Sequence, residues 1–317
     1  MSTQKGSNET EHKLLNEYDN VIDLQELFGV LWAGRIKIIA WTTVFAFAAV
    51  IYALSVPNQY KATALLAPAK SDGGGLSGAM GQLGGLASLA GVSLGSGESS
   101  EAQIAQEIMK SWSYIEGFIA ENDIAVEVYA AEGWNKGSNA LEINNDVYDQ
   151  TKSEWLLEDE LGALGPPSSW KLFGAFRQKL SVSEDIESGL VSVSIEYYSP
   201  LIAKQWVDMY VESINRFMQQ RQVTKVSRNI EYLQEQIGKT SIAEMQEVFY
   251  SIIEEQTKNK MLAEASPDYV FVAVGPSMVP EQRSQPKRAL ICILGTLLGG
   301  ILSVLLVLVT HYTKKSN

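Results

Sequence analysis

Two uncharged apolar runs, one near each end, constrain this chain more than any other feature. The first is Ile38–Val56 (IIAWTTVFAFAAVIYALSV) and the second Ala289–Thr310 (ALICILGTLLGGILSVLLVLVT). A helix needs about 20 apolar residues to cross a bilayer core, and a helix leaves no backbone polar group unpaired in lipid. Both runs read as transmembrane helices. Two spans put both termini on one side and 57–288 on the other. Arg35 and Lys37 precede the first run, whereas the nearest basic residue after it is Lys61. That asymmetry places the N-terminus in the cytoplasm and the long intervening segment outside it. The first run begins too late, and no A-x-A-like site follows it, so it is expected to stay uncleaved.

Charge and cysteine usage narrow the class. Between 57 and 288 there are 19 basic and 31 acidic residues, so this segment alone carries a charge equal to the chain's net −12. An acidic domain of this kind does not suit nucleic acid. The single cysteine, Cys292, lies in the second apolar run, so no disulfide can staple the exterior domain. That fits a bacterial envelope better than a eukaryotic secreted protein.

The expected organisation follows the pattern along the chain. Residues 1–37 are a cytoplasmic tail in which Asp23 and Glu26 form a capping box. Leu24, Leu27, Phe28, Leu31 and Trp32 then make an apolar stripe on a helix lying at the membrane face, with a partner-binding helix as the alternative. Residues 38–56 are the first span, and 57–198 a base domain containing a Gly-rich loop. Within the base, Gln59–Ala67 reads as a strand, Leu83–Ala90 as a helical patch, Glu101–Glu121 as one helix and Trp170–Gln178 as a short helix. Residues 122–167 read as acidic and irregular. Lys179–Glu184 and Leu190–Tyr197 form a hairpin, because Val191, Val193, Ile195 and Tyr197 alternate with Ser192, Ser194 and Glu196.

Ser199 and Pro200 open a helical arm spanning 199–266. Val207, Val211, Ile214 and Met218 lie on one of its faces. Val223, Val226, Ile230, Leu233 and Ile237 make a coiled-coil-like seam on another. A break is expected at Gly238–Thr240, then a return arm capped by Ser241 and Glu244 with its seam at Ile242, Met245, Phe249 and Ile252. The long arm is expected to need neighbouring copies to bury its seam. Residues 267–288 hold a closing strand, Tyr269–Val274, and a tether stiffened by Pro276, Pro280 and Pro286. The second span is 289–310 and the tail 311–317. The fold class is therefore α+β: two transmembrane helices flanking a periplasmic α/β base with a long protruding helical hairpin.

The chemical inventory points away from catalysis. The two histidines, His12 and His311, both lie outside 57–288, so that segment cannot assemble a Ser-His-Asp, Cys-His or typical zinc site. The acidic run Glu158–Asp159–Glu160 beside Glu154 reads as a solvated face. Gly73, Gly75 and Gly78 satisfy G-x-G-x-x-G in a low-complexity stretch without a βαβ context, and Gly238–Lys239–Thr240 lacks a phosphate loop's upstream glycine. No catalytic, cofactor or metal residue is assigned. Gly295, Gly299 and Ser303, at four-residue spacing in the second run, form a small-residue face for helix contact, though glycine is common in membrane helices.

Four stretches carry a family resemblance: Ile22–Trp32 (IDLQELFGVLW), Gly84–Gly91 (GGLASLAG), Glu254–Val274 (EEQTKNKMLAEASPDYVFVAV) and Pro276–Leu290 (PSMVPEQRSQPKRAL). In this order they resemble the Wzz-type polysaccharide co-polymerases, the chain-length determinants of bacterial envelope polysaccharides. The resemblance covers the two ends well and the middle poorly. It implies an inner-membrane, non-enzymatic ring of several copies. Such a ring sets O-antigen or lipopolysaccharide length together with a membrane polysaccharide polymerase, in contact with the lipid bilayer and the nascent polysaccharide. With seven residues after the second run, the cytoplasmic kinase of some relatives is not expected. The alternative is an exopolysaccharide or capsule export adaptor working with a separate tyrosine kinase and an outer-membrane exporter. A two-span sensor and a hydrolase are further from the pattern.

Overall fold

The computed structural model describes residues 24–69, 97–158 and 162–316. The GGLASLAG stretch, the glycines at 73, 75 and 78, His12, Asp23 and the Asp159–Glu160 pair lie outside the described residues. The chain divides into two compact units, 1–56 with 286–317, and 57–285.

In chain order, the first unit opens with α1 (Leu24–Ala33) and α2 (Arg35–Ser55). The second unit contains β1 (Tyr60–Pro68), α3 (Gly97–Lys110), α4 (Trp112–Glu121), α5 (Ala125–Tyr129), β2 (Ala131–Asn135) and β3 (Ala140–Ile143). Next come β4 (Tyr148–Asp149), β5 (Glu154–Trp155), β6 (Leu157–Glu158), β7 (Leu164–Gly165), α6 (Ser169–Lys179), β8 (Leu180–Glu184) and β9 (Val191–Tyr197). It ends with α7 (Pro200–Lys239), α8 (Ala243–Ala265) and β10 (Phe271–Gly275). The first unit then resumes with α9 (Arg288–Ser316).

The second unit is built on a four-stranded antiparallel sheet in the order β10-β1-β9-β8. Its hairpin follows the two-residue period of the sequence. Leu180 pairs with Ile195 and Val182 with Val193, while the turn carries Gly189 at φ 67°, a left-handed conformation that suits glycine. Ala62, Ala64, Leu66, Val193, Ile195 and Tyr197 point into one core with residues of α4, α6 and α7. On the other face the Thr63 and Ser194 hydroxyls lie 3.0 Å apart.

An aromatic cluster fills that core. Tyr210 lies 4.8 Å from Phe118 and 5.6 Å from Phe176 between ring centroids, and Tyr197 lies 4.4 Å from Trp206. Each buried phenol has a partner: the Tyr210 hydroxyl donates to the Met109 carbonyl and the Tyr197 hydroxyl to the Glu127 carbonyl.

Several expectations are corrected. Glu101–Glu121 is not one helix. Ser111 ends α3 and caps α4, its Oγ accepting from the Tyr114 amide, because a serine side chain competes well for orphan amides. Residues 122–167 are not irregular. They hold α5 and three short antiparallel hairpins. Asx turns make two of them possible: the Asn135 carboxamide oxygen accepts from the Gly137 and Ser138 amides, and the Asp149 carboxylate from the Thr151 and Lys152 amides. Trp134 and Trp155 pack edge-on against Tyr60 and Tyr148.

The helical arm keeps its predicted start. Ser199 Oγ accepts from the Ile202 amide, and Pro200 occupies the first turn of a 40-residue helix, about 60 Å long at 1.5 Å per residue. It ends at Lys239, with Thr240 extended as its C-cap, so the break falls within the expected Gly238–Thr240 stretch. The predicted capping box at Ser241 and Glu244 does not form; Ile242 caps α8 without a side-chain bond. The seam of α8 is also displaced. Gln246, Phe249, Ile253, Gln256, Asn259, Lys260 and Ala263 are the shielded positions, while Met245 and Ile252 are exposed.

Candidate functional site

In the first unit, α2 and α9 are both long and apolar enough to cross a membrane, with mean hydropathies of 2.0 and 2.7 over their richest windows. Glycine spacing governs how they meet. A Cβ added at Gly295 would lie 2.4 Å from the Ala49 Cβ, and one at Gly299 would lie 2.4 Å from the Phe45 Cβ. Ser303 follows at 0% exposure. Its hydroxyl donates to the Gly300 carbonyl at 2.8 Å and lies 3.2 Å from the Thr42 hydroxyl. Either hydroxyl can donate across the pair. A fourth close approach sets Gly34, at the α1–α2 junction, against Val307, where a Cβ would sit 2.5 Å from Cγ1. Missing side chains let the backbones approach, and a hydroxyl bond in an apolar setting adds about 0.6–2 kcal/mol. The face of α9 that carries Gly295, Gly299 and Ser303 is thus occupied by the chain's own α2. Gly300 faces open space.

The proline-bearing segment is held by Gln59, the residue before β1. The Gln59 carbonyl accepts from the Ser284 amide at 2.8 Å and the Ser284 hydroxyl at 3.1 Å, and the Gln59 amide donates to the Gln285 carbonyl at 3.0 Å. The Ser277 hydroxyl donates to the Asp208 carboxylate of α7. Pro276 and Pro280 lie in this segment outside helix and strand, and Pro286 stands two residues before α9.

Three side-chain amides that the sequence reading missed organise the arm. Asn215, 2% exposed, donates to the Phe271 carbonyl at 2.8 Å and accepts from the Val270 and Phe271 amides at 3.0 and 2.9 Å. It therefore fastens β10 to α7. Gln219 donates to the carbonyls of Ala263 and Ser266 at the end of α8. Gln246 reaches back to the Thr240 carbonyl at 2.9 Å. Amide residues recurring on the shielded side of a helical pattern were the one available signal.

Among the described residues, no cluster of histidine, cysteine or carboxylate could hold a metal. Glu154 and Glu158 are exposed. A cleft of about 210 Å³ between α4 and α7 is lined by Tyr114, Phe118, Phe217 and Gln220, and by the Glu121–Arg216 ion pair at 2.9 Å. Burial pushes the phenols of Tyr114, Tyr197 and Tyr210 well above their ordinary range. Tyr269 is pushed up to about 12, chiefly by burial and then by Glu101.

The architecture is that of an α+β chain whose terminal regions meet as a pair of apolar helices. Residues 20–122 match the Wzz family, described as chain length determinant protein. The match covers about a third of the chain, including α1, α2, β1, α3 and α4, and begins just before the Ile22–Trp32 stretch that carries the resemblance. No curated protein matches the chain. Three solved structures are similar. A full-length bacterial polysaccharide co-polymerase shares 14% identity, with 93% of this chain and 99% of that chain covered and a TM-score of 0.40. A fragment of WzzB, a polysaccharide co-polymerase from Salmonella Typhimurium, shares 12%, with 72% and 100% covered and a TM-score of 0.31. A mutant of the Shigella flexneri lipopolysaccharide O-antigen chain-length regulator WzzB shares 10%, with 71% and 100% covered and a TM-score of 0.24.

Proposed function

We propose that this chain is a Wzz-type polysaccharide co-polymerase, a non-catalytic regulator of O-antigen chain length in lipopolysaccharide. It sits in a bacterial inner membrane through two spans, with both termini cytoplasmic and its bulk in the periplasm. It works as a ring of several copies beside a membrane polysaccharide polymerase and the growing polymer. The observation that carries this reading is the family match over 20–122. Three features support it. The two apolar helices pair through Gly295, Gly299 and Ser303, a packing suited to lipid. The 57–288 segment lacks histidine and cysteine, as a scaffold can. The outer face of α8 leaves Met245, Val248, Ile252, Met261 and Leu262 exposed, as an arm meeting neighbouring copies would.

The experiment is a deletion in the source bacterium, read on a lipopolysaccharide gel with the wild-type gene restored as control. The expected result is continued polymer synthesis with loss of the modal length. An unchanged ladder overturns the reading. An unchanged ladder with secreted polymer lost would instead favour the export adaptor.

A further inference from the structure

We propose that the junction of α1 and α2 binds the headgroup of an anionic phospholipid through a stacked ladder of Phe28, Trp32 and Arg35. The inference rests on the membrane-spanning reading above.

The ladder comes from helical spacing. Residues three or four apart share a face, and the backbone stays helical across the junction: the Gly34 amide donates to the Val30 carbonyl at 2.9 Å and the Ile38 amide to the Gly34 carbonyl at 3.1 Å. Phe28 and Trp32 stack with centroids 6.3 Å apart and planes 19° apart. The guanidinium carbon of Arg35 sits 4.9 Å from the Trp32 ring centroid. Val30 is buried, and Gly34 presses on Val307 of α9. Phe28 and Trp32 remain 67% and 62% exposed.

Charge supplies the second argument. Lys37 is exposed two residues beyond Arg35. Among the described residues no carboxylate forms an ion pair with either. A planar guanidinium held over an indole keeps its outward N–H groups for a phosphate. The third argument is continuity. The ladder leads into the exposed apolar surface of α2, with Ile36, Ile39 and Phe47 open. That surface would face acyl chains, with the indole at headgroup level, where tryptophan is favoured. Aromatic rings at that level and cations just beside them fit a phospholipid better than a water-borne anion.

The test uses the full chain reconstituted into vesicles of equal phosphatidylglycerol and phosphatidylcholine, re-extracted in mild detergent, with retained lipid counted by mass spectrometry. Flotation with the vesicles checks the membrane reading separately. If the chain floats, wild type should retain phosphatidylglycerol about fivefold over phosphatidylcholine. Trp32→Ala and Arg35→Gln should each bring the ratio close to one, while Arg35→Lys keeps part of it and Lys287→Gln, at the other end of α9, leaves it unchanged. The proposal is overturned if floating wild-type protein shows no preference, or if Trp32→Ala and Arg35→Gln keep the wild-type ratio.

Discussion

Asn215 shows how one side chain can hold two distant parts of the second unit. It satisfies two amides and one carbonyl at the start of β10 from inside the core. Truncation strands these groups without water, so Asn215→Ala should cost about 2–4 kcal/mol, measured by denaturant unfolding of the full chain in detergent. A loss below about 1 kcal/mol would mean that the clamp is dispensable. The sequence hid this role because an asparagine in a helical run reads as a solvent-facing polar residue, and its partners lie 55 and 56 residues away. The buried phenols make a second prediction. Tyr114, Tyr197 and Tyr210 titrate above the ordinary value of 10 in the folded chain. Below that value both states are protonated and stability is fully present. Above it the unfolded chain releases its protons first, so stability falls as pH rises, by about 1.4 kcal/mol per pH unit for each tyrosine. Circular dichroism should therefore record unfolding above pH 10 that Tyr197→Phe makes shallower. A flat profile to about pH 12 would contradict it.

Among the elements, the paired helices make the sharpest claim. The Thr42 and Ser303 hydroxyls are 3.2 Å apart, so cysteines at both positions come within disulfide reach. In a Cys292→Ser background, Thr42→Cys with Ser303→Cys should cross-link within one chain, read by peptide mass spectrometry. Adding Gly299→Leu, whose first carbon would meet Phe45, should reduce the cross-link severalfold, about tenfold if the helices separate fully. Equal cross-linking with and without that leucine would contradict the packing. Elements with strong periodicity were readable: the hairpin of β8 and β9, the capped start of α7 and both apolar helices. The seam of α8 was not, because glutamines at 246 and 256 hold shielded positions that an apolar count passes over, while Met245 and Ile252 look like a seam and face outward. The hairpins of 131–165 were missed for a different reason. Their strands are two to five residues long, too short for a period to register, and only the turn chemistry of Asn135 and Asp149 marks them.

At the scale of the whole molecule, the functional reading came from the ends of the sequence. Ile22–Trp32 and the first apolar run fall within the family match, whereas the amide latches that shape the arm left no signature. Length control of an exported polymer, as proposed, requires the bulk of the chain on the polymer's side of the membrane. The most direct test of that placement is labelling with a membrane-impermeant maleimide in cells with a permeabilised outer membrane, using single cysteines in a Cys292→Ser background. Ile186→Cys, at a position 95% exposed in the β8–β9 turn, should label while the inner membrane is intact. Thr313→Cys, beyond the second apolar run, should label only after the inner membrane is broken. The opposite pattern, with residue 186 protected and residue 313 labelled while the inner membrane is intact, would contradict the account.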